Sequence, residues 1–217
     1  MLKPKLEKEL FSSYSHLFGA IGSLIATIVL IILIDSGAMD RFVAGVFGVC
    51  AVLVFTFSAV YHFNKEKDDE ISFWRKVDHS MIYLVIAGAF TPLCYMYLDG
   101  AMRIGILVGQ WIFVVLGILF KIKFMDAPRW MSLGTFVLMG LMAVIPLNTL
   151  LEGLRASGNQ VELFFWLAIG SISAGVLVYG TKKPDPKPGV FGFHDIWHIL
   201  VIMALVFLFV VVFKIFV

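Results

Sequence analysis

Charge is scarce in this sequence: 17 Lys and Arg and 15 Asp and Glu among 217 residues, a share of 15%, against about 25% in ordinary soluble domains. Cysteine is scarcer still, with Cys50 and Cys94 alone. They make neither a C-x-x-C motif nor a disulfide framework and both lie in apolar runs, so they read as small core hydrophobes. No G-x-x-x-x-G-K-[ST] phosphate loop, G-x-S-x-G elbow or G-x-G-x-x-G fingerprint occurs, which argues against ATP-driven transport in cis. A formal net charge of +2, without a basic patch interleaved with aromatics, makes no case for nucleic acid. Apolar side chains are what the chain has in excess, at 60% hydrophobic and a mean hydropathy of +0.96. That composition excludes a cytosolic enzyme, a disordered tail and a fibrous protein: most of this chain has lipid as its solvent.

A helix crossing a hydrocarbon core of roughly 30 Å needs about 20 mostly apolar residues. Seven such runs are separated by charge clusters, at about 16–34, 42–61, 77–97, 104–120, 130–151, 163–179 and 196–213. Each is too long, and too lacking in alternation, for a barrel strand. The expected fold is all-α, a single seven-transmembrane helix bundle over 1–217. Orientation follows from the basic residues, which are in excess in cytoplasmic loops. Lys3, Lys5, Lys8, Lys65, Lys67, Arg75, Lys76, Lys121, Lys123, Arg129, Lys182, Lys183 and Lys187 fall on one side, against Arg41, Arg103, Arg155 and Lys214 on the other. The amino terminus is therefore expected in the cytoplasm and the carboxyl terminus outside, in a multi-pass protein of the cell (inner) membrane. The first run has span length and no convincing small-residue cleavage site, so it is expected to stay as an anchor.

Every connection is short, so function is expected between the helices or at their ends. Pro184, Pro186 and Pro188 favour an extended connector. Pro92 and Pro146 are expected to kink the third and fifth spans, and Gly105 and Gly109 form one G-x-x-x-G suited to close packing on the fourth. The 21 Phe and five Trp fill lipid-facing and interfacial surface, with Trp74, Trp130 and Trp197 near span boundaries.

Ionisable groups at membrane depth are costly and mark functional sites by default. All five histidines fall near the cytoplasmic ends of spans: His16, His62, His79, His194 and His198. Ser58 and His62 make S-x-x-x-H and His194 and His198 make H-x-x-x-H, each pair on one helical face a turn apart. With the second span running inward and the third and seventh outward, His62, Asp78, His194 and His198 reach similar depth. They converge only if the bundle brings those three spans together. Three neutral imidazoles with an open fourth position are a ligand set of catalytic zinc, which lowers a water's pKa to about 7. Asp78 then orients that water or takes its proton, and Ser58, a turn deeper, donates to a developing oxyanion. The residue types fit hydrolysis.

Plainer readings stand beside this one. His16 alone reads as an interfacial polar residue, Asp78 and, more strongly, Asp195 as favourable charges at a helix start, and Ser58 as a hydroxyl back-bonded to its helix. H-x-x-x-H suits a metal but lacks the glutamate of a zinc protease. The combination carries the argument.

The string Ser58-Ala-Val-Tyr-His62, then Asp78-His79-Ser80 with Ile86-Ala-Gly88 and Thr91-Pro92, then Phe191-Gly-Phe-His194-Asp-Ile-Trp-His198, resembles the hemolysin III family. That family belongs with the progestin and adiponectin receptors in a seven-helix superfamily related to alkaline ceramidases. Glu9, Ser12, His16 and Gly19 resemble its amino-terminal pattern. The resemblance implies zinc held by His62, His194 and His198, Asp78 and Ser58 beside the metal, and an inward amino terminus. It also implies a link to lipid amide hydrolysis, as in the receptor relatives, and to membrane lipid homeostasis and, by name, haemolysis, as in bacterial members. Ser12 stands where the pattern has Asn, Asp195 where Glu is frequent, and the outer part of the last span lacks a His found in many bacterial members.

The expectation is thus a zinc-dependent hydrolase of a lipid amide or ester, with a membrane lipid as substrate or ligand. Its rival is a non-enzymatic sensor or regulator of the membrane in which zinc staples helices. A pore-forming cytolysin is less favoured, since no polar stripe runs the length of any span, as is a proton-coupled zinc transporter, since no relay crosses the bundle.

Overall fold

In the computed structural model, which describes residues 9–67 and 71–217, the apolar runs fold as helices that extend past the runs at their ends. These are α1 (Leu10–Leu33), α2 (Ala38–Asn64), α3 (Phe73–Tyr97), α4 (Gly100–Lys123), α5 (Arg129–Leu141), α6 (Leu147–Ala156), α7 (Asn159–Thr181) and α8 (Phe193–Phe216). Lys3, Lys5 and Lys8, counted in the charge asymmetry, lie outside the described residues. Six helices are long and apolar enough to cross a membrane, and α5 with α6 makes a seventh crossing if the bent pair is one span. The protein is an all-α helical membrane bundle.

The fifth run departs from expectation. Instead of one kinked helix over 130–151, the chain breaks between α5 and α6, passing through a short 3-10 turn (Met142–Val144) and bending by 69°. Pro146 sits at the break, where its missing N–H and its ring both oppose continuation. Among the carbonyls beside the break, that of Met139 accepts from Gln110 Nε2 at 2.8 Å, a polar side chain doing at membrane depth what water does elsewhere. Pro92, by contrast, stays inside a continuous α3.

Packing follows the logic of lipid as solvent, with small and polar residues facing protein. On α1, Ser12, Ser13, His16, Ala20, Ser23, Thr27 and Leu30 form the buried stripe at helical spacing, while Phe18, Ile25 and Ile32 are exposed. Backbones approach where α2 and α3 carry glycine: a Cβ on Gly48 would meet the Thr27 hydroxyl, and one on Gly88 would lie 2.6 Å from Cys50 Cβ. Cys50 and Cys94 are free and buried. The G-x-x-x-G of α4 is not a packing seam, because a Cβ on Gly105 would touch nothing and one on Gly109 only Met142.

α8 is capped by one carboxylate from its own first turn and one from the loop before it. The Asp195 carboxylate accepts from the Gly192 backbone N–H at 2.8 Å, and Asp185 accepts from that of Phe193 at 3.1 Å. Both place negative charge at the positive end of the helix. The proline-rich connector turns back at an isolated bridge between Lys187 and Phe191, which brings Asp185 to this position.

Candidate metal centre

His62 lies in the last turn of α2, and His194 and His198 lie in the first two turns of α8. Their ligand-capable atoms all fall within 4.8 Å of one another. His198 Nε2 is 3.1 Å from His194 Nε2, which is 3.4 Å from His62 Nε2. His62 and His198 are buried and His194 is partly so. Two nitrogens each 2.0–2.1 Å from a tetrahedral ion stand about 3.4 Å apart, so these separations fit a shared cation. Three imidazole lone pairs converging in a buried place repel one another until a cation or proton joins them, and the donor set is one that zinc accepts.

The support behind the three imidazoles comes from a place the motifs do not reach. His62 Nδ1 meets Glu9 Oε2 at 2.6 Å, and Lys65 Nζ donates to Glu9 Oε1 at 2.6 Å. Burial opposes ionisation of this carboxyl, but the hydrogen bonds and charges of His62 and Lys65 outweigh it and hold it at about 2. Glu9 is therefore an anion that fixes the hydrogen of His62 on Nδ1 and leaves Nε2 free to bind metal. Sequence reasoning had Glu9 only as part of a pattern. The signal that finds it is the spacing of Glu9, Ser12 and His16, the first polar turns of an otherwise apolar helix. Two of the three departures from the family pattern meet here: Ser12 Oγ donates to Asp195 Oδ1 at 2.8 Å.

His16 is buried in the bundle rather than set at its surface. It is 3% exposed, both ring nitrogens lack a hydrogen-bond partner among the described residues, and its ring stacks on that of His198 with centroids 3.7 Å apart. α1 carries it inward on the same stripe as Ser12, so the helix face sets its depth and the polarity of its ring does not. His79 Nδ1 is 3.2 Å from Asp78 Oδ2 and 3.0 Å from the Arg75 carbonyl. Ser58 borders the same cavity as Asp78.

His16, Ser58, Asp78, His79, His194 and His198 all border one cavity of about 1040 Å³. The rest of its wall is mostly apolar and comes from α3, α5, α7 and α8. Val137 and Leu141 of α5 and Ile169 and Leu177 of α7 line it and are also exposed, so it opens sideways between those helices. A smaller space of about 300 Å³, bordered by Glu9, His62, Lys65 and His194, lies on the other side of the histidines. The cluster thus stands between a polar vestibule and an apolar chamber.

Fold and site define a class: a multi-pass membrane protein with a buried three-histidine centre joining two spanning helices. The chain matches the Haemolysin-III related family over residues 5–209. It is 31% identical over 201 residues to Hemolysin-3 of Bacillus cereus, covering 91% of this chain and 86% of that protein. It is likewise 31% identical over 205 residues to a Hemolysin-3 homolog of Bacillus subtilis (strain 168), covering 91% and 89%. The protein belongs to the hemolysin III family.

Proposed function

We propose that this protein is a zinc-dependent hydrolase of an amide or ester bond in a membrane lipid, with its basic loops in the cytoplasm, and that it serves membrane lipid homeostasis. The observation that carries the proposal is the convergence of three imidazoles, two of which, His194 and His198, stand with Asp78 on the wall of an apolar chamber open sideways between α5 and α7. His62, His194 and His198 would hold the metal. Zinc there supplies a Lewis acid that makes water nucleophilic near neutral pH.

The protein's own groups supply the rest. The chamber receives an acyl chain from the bilayer and excludes water from most of its length. Asp78 accepts the proton of the attacking water and returns it to the departing amine or alcohol. While Asp78 is ionised, the Ser58 hydroxyl donates to it. Once protonated, Asp78 donates to Ser58 Oγ instead, which frees the Ser58 hydrogen for the developing oxyanion. His79, with Nδ1 3.2 Å from Asp78 Oδ2, holds the carboxyl in place.

Asp78→Asn tests this. Hydrolysis is expected to fall by about 10²–10⁴-fold with metal content and folding retained, read as lipid profiles of cells with and without the gene and as fatty acid release by the purified chain. Unchanged lipid profiles and release in a folded, metal-loaded variant would overturn the catalytic reading. That outcome would favour the second reading, a structural zinc in a membrane sensor, which draws support from the same histidines joining the ends of α2 and α8.

A further inference from the structure

Lys121, in the last turn of α4, is 1% exposed and borders the apolar chamber. A lysine at the end of a spanning helix ordinarily extends its amine to the water interface. This one is turned inward. Its Nζ donates to Ser132 Oγ at 2.5 Å and lies 5.5 and 5.8 Å from the ring centres of Phe120 and Phe136. Ser132 engages one of three N–H donors, and among the described residues no carboxylate pairs with the amine.

Arg129, at the start of α5 on the same wall, is also met by neutral groups. It donates to the Tyr179 carbonyl at 2.9 Å and lies over the faces of Tyr179 and Phe193 at 4.6 and 5.3 Å. Lys182 borders the same chamber. The carboxylates on this wall do not answer these charges: Asp78 faces His79, and Asp126 is exposed. A buried ammonium without a counter-charge is costly, and a site so built accepts an anion where the chamber meets the basic loops.

Resting on the lipid-hydrolase reading, we propose that the substrate is a lipid with an anionic phosphate headgroup, the phosphate held by Lys121 and Arg129 and the acyl chain lying between α5 and α7. Several cations lining one chamber suit a phosphate group, which spreads its charge over several oxygens.

The test is microscale thermophoresis on the full-length, zinc-loaded chain in detergent, with three probes: dioctanoyl phosphatidate, dioctanoylglycerol and inorganic phosphate. Phosphatidate is expected to bind at least tenfold tighter than the glycerol, which has the same chains and no phosphate. Lys121→Met should cut that preference to twofold or less, while Ser132→Ala, which keeps the cation, should retain it. Should Lys121→Met not yield folded protein, Arg129→Gln is read in its place, with the same loss expected. Equal affinity for both lipids, or a preference that survives loss of the cation, overturns the phosphate assignment and leaves the hydrolase reading standing. If neither lipid binds, that reading falls too. Competition by inorganic phosphate at the phosphatidate's own concentration overturns the lipid as the source of the anion.

Discussion

Helices α2 and α3 bury 56% and 50% of their most apolar stretch inside the protein, whereas α4 and α7 bury 28% and 22%. The difference matches a division of labour. Ser58, His62 and Asp78 sit on the two well-packed helices, and α1 locks against α2 through Thr27 on Gly48 and through His16, whose ring meets that of Phe55 edge-on. The chamber wall comes largely from α5 and α7, where apolar side chains point both at the cavity and outward. Geometry within a few tenths of an ångström is needed where atoms must meet a metal, and close packing supplies it. Entry of a flexible lipid needs the opposite.

Removing the metal ligands breaks this comparison at its stiff end. A His194→Ala, His198→Ala double variant should fall from about one zinc per chain to none by elemental analysis, because one remaining imidazole cannot hold the ion. Equal zinc in both proteins would mean that the converging nitrogens are not the site.

Next in size is overpacking. Gly88→Leu forces a branched side chain where even a Cβ would lie 2.6 Å from Cys50 Cβ. The expected loss is about 3 kcal/mol, the upper end for added bulk in a tight core, read as a shift in denaturant titration in detergent. Tolerance of leucine there would show that α2 and α3 are not held at fixed distance.

Glu9→Gln probes the support behind His62. Removing such a partner typically costs 10–100-fold in metal affinity, measured by competition with a chelator. Because this carboxyl is held at about 2, below its ordinary 4.5, its contribution is fully present above about pH 4.5 and fades only as pH falls toward 2. The comparison is therefore read near pH 7.5, where the Glu9 carboxyl is fully ionised. Equal affinity in the two proteins would place the support of His62 elsewhere.

How much of this was legible depends on how local the signal is. The spans can be read because hydrocarbon imposes its thickness directly on the sequence, although helices run past the apolar stretch, as α2 does from Ala38 to Asn64. The break at Pro146 was half legible: proline marks the place, but whether a helix bends or stops depends on neighbours such as Gln110. His194 and His198 announce their shared face by spacing alone. That His62 joins them, and that Glu9 stands behind it, depends on how α1, α2 and α8 pack across 53 to 183 residues of separation. No periodicity encodes that. His16 misled for the same reason, since its helix position was visible and the face opposite it was not. Lys121 counted as one basic residue among thirteen, because hydropathy cannot tell a lysine turned to water from one turned inward.

The smallest effect belongs to the open half. Gly134 on α5 is exposed, and a Cβ there would meet no atom within 4 Å. Gly134→Ala should leave stability unchanged or raise it by up to about 1 kcal/mol, since alanine lowers the conformational cost of the helix and nothing stands in its way. The same denaturant titration that registers Gly88→Leu serves here. If α5 instead closes on a neighbour during part of its life, the alanine would destabilise that closed form and activity would drop without loss of fold. A neutral result in both measurements means that α5 works as an open wall, and that access to the chamber is a standing property of the bundle.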